Sequence, residues 1–205
     1  MHEFDRTIRL VGEEGQARLL RAKVALFGLG GVGSYALEAL VRAGIGEMLL
    51  VDGDVVEETN LNRQIIALTT TVGMPKTQAA AQRVLAINPA CKVVEKALFY
   101  TPETADQVPL EGADYVVDAV DTVTAKLEII ARARAAGVRG VINSGRSVAE
   151  AFQYAGEAGC DSLVSALGGA AVADTASGQV LRRWDVPEDS GRRVLELCLG
   201  RNIEL

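Results

Sequence analysis

Four glycines within six residues open the part of this sequence that can do chemistry. The loop reads Gly28-Leu29-Gly30-Gly31-Val32-Gly33. Glycines at that spacing permit a tight turn, and they let a phosphate reach backbone N–H groups at the positive end of a helix. Asp52 lies 19 residues after Gly33, where a carboxylate accepts from ribose hydroxyls. The loop and this acid fit NAD as well as ATP. The next stretch separates the two. Asp52-Gly-Asp54-Val-Val-Glu-Glu-Thr-Asn60-Leu-Asn62-Arg63-Gln64 is polar and carries a cation, which hydride transfer does not need and phosphoryl chemistry does. Arg63 offers a planar fork of donors for phosphate oxygens, and Asn60 adds an amide. Lys76 follows as a mobile point charge suited to an α-phosphate. Asp121 supplies a carboxylate of the kind that holds Mg²⁺ together with phosphates. Each has a plainer reading: Asp121 as a cap for a helix starting at Thr122, and Arg63 and Lys76 as solvated surface charges.

These residues need a scaffold, and the apolar pattern provides one. Short apolar runs at Lys23–Phe27, Met48–Val51, Lys92–Phe99, Asp114–Val120 and Val138–Asn143 read as strands. Helical patterns lie between them at Ser34–Ala43, Lys76–Ile87, Pro102–Val108 and Thr122–Ala136, with Pro75 at a first helical position. Strands alternating with helices predict βαβ units: an α/β, Rossmann-like, doubly wound and mostly parallel sheet. The glycine loop then follows the first strand and opens a helix, Asp52 ends the second strand, and Asp121 ends the fourth. All lie at the carboxyl edge where such sheets bind ligands. We expect one domain over 1–205, with an N-terminal arm (1–22), a nucleotide-binding core (23–145) and a tail (146–205) in which only Arg192–Leu199 reads as helical.

Composition excludes several classes. The chain has 205 residues, of which 49% are hydrophobic and 4% aromatic, so its core is aliphatic. The single histidine, His2, leaves no basis for histidine acid–base chemistry. Cys91, Cys160 and Cys198 are widely separated and form no Cys-x-x-Cys pair. Cys91 and Cys198 read as structural, and Cys160 as the thiol most open to solvent. An odd count of thiols and no apolar leader or membrane-length run predict a cytoplasmic protein without a membrane partner. Net charge is −6. Residues 1–100 hold 11 basic and 11 acidic side chains, and residues 101–205 hold 10 and 16. The acidic second half argues against gripping nucleic acid through net charge. Arg132, Arg134, Arg139, Arg182, Arg183, Arg192 and Arg193 are candidate basic contacts that read as solvated helix faces.

The segments GLGGVGSYALEALVRAGIG, LLVDGDVVEETNLNRQ, TVGMPK, INP and VVDAVDTVTAK resemble the E1-like adenylating enzymes, the ThiF, MoeB and HesA superfamily. TNLNRQ, ALFYTPE and DAVDTVTAKLEI resemble its tRNA threonylcarbamoyladenosine dehydratase branch. The likeness covers 4–145, about 140 of 205 residues. It implies that Gly28, Gly30, Gly31 and Gly33 hold ATP phosphates and that Asp52 binds the ribose. Asn60, Arg63 and Lys76 would bind the triphosphate, with Gln64 beside them, and Asp121 would coordinate Mg²⁺. Arg6, in FDRTIRL, would reach the ATP site of the other subunit of a homodimer. The implied chemistry is attack of a substrate carboxylate on the α-phosphate. In the dehydratase branch that carboxylate belongs to threonylcarbamoyladenosine at tRNA position 37. The implied alternatives are an adenylyltransferase of a ubiquitin-like sulfur carrier protein, whose members often carry a zinc-binding Cys-x-x-Cys and a sulfur-transfer cysteine, and a nucleotide-binding module that has lost its substrate half. An NAD(P) dehydrogenase is a more distant one. From GRSVAEAFQYAGEAGC onward the sequence departs from the family pattern.

Overall fold

The computed structural model describes residues 3–138, 141–143, 146–159, 163–167, 170–185 and 187–199. They belong to two units, Met1–Val138 and Arg139–Leu205.

In the first unit, β1 (Lys23–Phe27), β2 (Glu47–Val51), β3 (Lys92–Lys96) and β4 (Tyr115–Asp118) form one parallel sheet in the order β3-β2-β1-β4. Helix α1 (Asp5–Leu19) precedes the sheet. Helices α2 (Gly31–Ala43), α3 (Lys76–Ile87) and α4 (Val123–Ala135) alternate with the strands. The near-continuous apolar strands are buried on both faces with a period of two. Val24, Leu26, Met48 and Leu50 pack against Leu37 and Val41 of α2 and Ala80 and Val84 of α3. Ala25, Phe27, Leu49 and Val51 pack on the other face, against Ala125 and Ile129 of α4. This is the expected doubly wound sheet. Strand order reverses between β1 and β4, which places the ligand-binding crevice at the carboxyl ends of those two strands.

Two contacts tie the helices together. Gln16 of α1 donates from Nε2 to the Ala43 carbonyl at 3.0 Å, docking the N-terminal arm on the end of α2. Glu38 of α2 accepts from Arg83 of α3 at 2.5 and 3.0 Å and from Arg42. The Arg83 hydrogen bond, ahead of the others, holds the Glu38 carboxyl below its ordinary pKa despite the opposing effect of burial. A depressed carboxylate stabilises the fold above its unfolded pKa, and that stability is lost as pH falls through the folded one. Glu38→Gln is therefore expected to cost about 1 kcal/mol at pH 7 and to flatten the stability loss below about pH 4.5. Denaturant titrations from pH 7 to pH 3 check both.

Several elements differ from expectation. Pro102–Val108 yields only a 3₁₀ turn at Ala105–Gln107; the Thr104 hydroxyl accepts from Thr101 N–H and donates to the Phe99 carbonyl, a local turn that competes with a helix start. The third strand stops at Lys96. Strand β5 (Val141–Asn143) does not extend the sheet of the first unit; it pairs with β6 (Leu163–Ala166) in the second unit. Val141 and Asn143 are exposed while Ile142 packs inward, the one-sided burial of a two-layer sheet and not the two-sided burial of β1.

The tail, where one helix was expected, carries more structure. Helix α5 (Val148–Ala158) connects β5 to the parallel β6, and β7 (Ala171–Asp174) and β8 (Val180–Arg183) continue antiparallel. Ser147 and Glu150 form a capping box at the start of α5. Ala151 and Ala155 pack on Val164, Ala166 and Ala173. Helix α6 (Glu188–Leu199) closes the described chain. Small alanines make this core thin, which is why the sequence pattern there is weak. Among the described residues no helix is long and apolar enough to cross a membrane.

Candidate functional site

The glycine loop divides into glycines the fold requires and glycines it does not. Gly28 follows β1 with φ +86°, and a Cβ there would lie 2.6 Å from the Ala119 carbonyl oxygen. A Cβ on Gly33 would lie 1.8 Å from the Gly28 carbonyl oxygen. These two let strand, turn and helix close on one another. Gly33 is thus a packing residue and does not line the cleft. Gly30 has nothing within 4 Å of its would-be Cβ, and Gly31 meets only Arg63, at 3.7 Å. Helix α2 starts at Gly31 with Gly30 as its N-cap and no capping side chain. Its first turn therefore presents backbone N–H groups to an anion.

A cleft of about 340 Å³ opens beside this turn, lined by Gly28, Gly30, Asp52, Asp54, Lys76 and Asp121, with Phe99 and Tyr100 among the apolar residues. Asp52 is held by two backbone donors: Leu29 N–H to Oδ2 at 2.7 Å and Asp54 N–H to Oδ1 at 2.8 Å. Each oxygen keeps a second lone pair for a ribose hydroxyl. Lys76 is not the mobile charge expected from sequence. Its side chain is 8% exposed, and its Nζ is 2.7 Å from Asp54 Oδ2. The reason is local: Lys76 N–H also bonds the Asp54 carbonyl, and Val55 bridges Pro75.

Asp121 is exposed and makes no hydrogen bond or ion pair among the described residues. It does not cap α4, whose N-cap is Thr122 with no side-chain bond. Its neighbour Asp118 is engaged, accepting from Lys126 Nζ at 3.1 and 3.0 Å and from the Val120 amide. Among the described residues no three metal-binding side chains converge. The free Asp121 carboxylate suits a divalent ion that takes most of its oxygens from phosphate and water.

The remaining predicted residues lie outside the cleft lining. Asn60 is buried and spent on its own 3₁₀ turn: Oδ1 accepts from Glu57 N–H at 3.1 Å. Gln64 is buried, and its Oε1 has no partner among the described residues. Arg63 is exposed and folds back on the Thr59 carbonyl (2.6 Å) and Asn62 Oδ1 (3.2 Å). Ser34 Oγ, accepting from Ile65 N–H at 3.2 Å, ties this segment to α2. Arg6 is exposed on α1. Sequence reasoning passed over Asp54, Asp118 and Lys126. A second acid two or three residues from each predicted one was the available signal.

The basic candidates are largely committed. Arg132 pairs with Glu128 and Asp106, Arg183 with Asp185, and Arg192 with Glu188, while Arg182 stacks on Trp184. Cys91 is buried, and burial pushes its thiol pKa up, which agrees with a structural role. Cys160 and Arg139 lie outside the described residues, as does the side chain of Cys198.

Known proteins resemble this chain in sequence and fold. The chain is 47% identical over 130 residues to the tRNA threonylcarbamoyladenosine dehydratase of Bacillus subtilis (strain 168), covering 63% of this chain and 51% of that protein. The Escherichia coli (strain K12) protein of the same name is 44% identical over 131 residues, 64% of this chain and 49% of its own length. A crystal structure of the E. coli enzyme in complex with ATP superposes with a TM-score of 0.65 at 42% identity, over 69% of this chain and 58% of that one. This chain thus spans about half the length of the curated relatives it matches. The family match itself runs from residue 4 to residue 167, through the glycine loop, both acids and the lysine, and the chain belongs to the ThiF family.

Proposed function

We propose that this chain binds ATP in the cleft and adenylates a substrate carboxylate, the carboxylate being that of threonylcarbamoyladenosine at tRNA position 37. The carrying observation is the uncapped first turn of α2, flanked in one cleft by the anchored acid Asp52 and the buried cation Lys76. The E. coli structure in complex with ATP, at 42% identity, supports the choice of ATP over a dinucleotide.

In this reading the backbone amides of Gly31 and Val32, in the first turn of α2, and the Lys76 ammonium bind the phosphates, with Gly28 and Gly33 closing the turn behind them, and Asp52 binds the ribose. Arg63 leaves the Thr59 carbonyl to meet the triphosphate, with Asn60 and Gln64 shaping the segment that carries it. Asp52, Asp54 and Asp121 give the cleft three carboxylates against one ammonium. A triphosphate there needs further positive charge, which supports Mg²⁺ on Asp121; when bound, the ion neutralises the departing pyrophosphate. The substrate carboxylate forms a bond to the α-phosphorus and pyrophosphate leaves. A nucleophile within the substrate then closes a ring on the activated acyl carbon and AMP leaves. No protein side chain acts as nucleophile, so a chain whose single histidine is His2 meets no obstacle, and catalysis is positioning plus charge stabilisation. Exposed Arg6 beside exposed Leu10 on α1 supports a homodimer in which Arg6 reaches the second copy's cleft. The cytoplasm, where tRNA is modified, is the matching compartment.

ATP–pyrophosphate exchange, with tRNA and with a sulfur carrier protein offered separately, tests the reading. Exchange that depends on tRNA, with loss of the open-chain adenosine derivative by nucleoside mass spectrometry, supports it. Exchange that depends only on the carrier protein replaces it with the sulfur-carrier alternative. Asp121→Asn is expected to raise the Mg²⁺ concentration for half-maximal exchange about tenfold; an unchanged Mg²⁺ profile removes Asp121 from the metal site.

A further inference from the structure

The cationic side chain that faces this cleft already has an anionic partner. Asp54 Oδ2 lies 2.7 Å from Lys76 Nζ, and the Lys76 side chain is 8% exposed against 52% for Asp54. The peptide of Asp54 is fastened on both sides. Its carbonyl accepts from Lys76 N–H at 3.0 Å, and its N–H donates to Asp52 Oδ1 at 2.8 Å. Asp52 Oδ2 in turn accepts from Leu29 N–H in the glycine loop. A chain of charge-assisted hydrogen bonds therefore runs from the phosphate loop through both acids to the lysine. A buried ammonium with one charged partner does not wander, because separating the pair leaves an uncompensated charge.

We propose that Asp54 is a positioning residue that holds the Lys76 ammonium at the cleft, so that an incoming phosphate must share or take that ammonium from the Asp54 carboxylate. The proposal rests on the ATP reading above. It makes two consequences of opposite sign. Asp54→Asn keeps the size of the side chain and both backbone bonds, and removes a negative charge that repels phosphate and competes for Lys76. Nucleotide then binds more tightly. The same change loosens the aim of Lys76, so turnover falls. Stability falls too, because the buried ammonium loses its counter-charge, so the tighter nucleotide binding is the readout that a merely structural role does not give.

The test compares wild type, Asp54→Asn and Lys76→Ala in the full chain. ATP affinity is measured by calorimetry, turnover by tRNA-dependent pyrophosphate exchange, and lysine accessibility by mass spectrometry after acetylation without nucleotide. The expected result for Asp54→Asn is ATP bound roughly 3- to 10-fold more tightly and exchange at least about tenfold slower. Lys76 is acetylated at least about fivefold faster, while Lys23, Lys92 and Lys96 label as in wild type. Unchanged or weaker ATP affinity, or unchanged Lys76 labelling, overturns the proposal. A wild-type chain that fails to bind ATP overturns the functional reading instead, and the acetylation arm still decides whether Asp54 restrains Lys76.

Discussion

Lys76→Ala is expected to lower ATP–pyrophosphate exchange by about 10²–10³-fold, the loss that follows removal of one preorganised group facing developing charge. The size follows from how Lys76 is held. Its ammonium is buried, fixed to Asp54 and among the residues lining the cleft, so it acts without reorganising at the moment of reaction. The fold is expected to survive, because the carboxylate left behind on Asp54 is half-exposed and rehydrates. Circular dichroism and a melting curve close to wild type, beside the lost exchange, would show this. Arg63→Ala should bring a loss of similar order with still less effect on stability, since among the described residues the Arg63 side chain bonds only its own segment. Retained exchange in both variants would mean that the α-phosphate meets neither residue and that the site is wrongly assigned.

What could be read in advance follows from where the information sits along the chain. The sheet was legible because β1 and β2 are buried on both faces and carry almost nothing but apolar residues. Helix α3 was legible because Pro75 and Asn88-Pro89 bracket it. Asp52 was legible from its distance to the loop, since one strand–helix–strand unit fixes that separation. Pairing across space was not. Nothing in local spacing shows that Asp54 captures Lys76, 22 residues on, or that Lys126 closes on Asp118 and leaves Asp121 the free acid. Both pairs turn on which of two neighbouring carboxylates the backbone aims inward. The second unit, apart from β5 and α6, was illegible for another reason. Its core is built of Ala151, Ala155, Ala166 and Ala173 with Val164, residues too small to mark a face, and β8 is exposed along its whole length.

The glycine loop gives the second large expectation, because its members fail in different ways. Gly33→Ala is expected to destabilise the first unit by about 3 kcal/mol or more, seen as a melting point lower by roughly 10 °C. The new methyl would overlap the Gly28 carbonyl oxygen at 1.8 Å and touch the Ala119 Cβ at 3.2 Å. Neither neighbour can retreat. Gly28 is locked in a left-handed turn against Ala119, and its N–H is bonded to the carbonyl of Val51, the last residue of β2. Gly30→Ala is expected to behave in the opposite way. The φ −74°, ψ −154° of Gly30 are open to alanine, and its Cβ meets no atom within 4 Å. The melting point should therefore stay within a few degrees of wild type. ATP affinity should nevertheless fall at least about tenfold, because the methyl occupies the side of the backbone that a phosphate has to approach. Melting curves and ATP titrations on the two variants separate the roles. If Gly30→Ala binds ATP as wild type does, the phosphates do not lie against this turn, whatever the glycine spacing implies. If Gly33→Ala melts as wild type does, the loop is free to open, and the anchored geometry of Asp52 and Leu29 cannot be what preorganises the cleft.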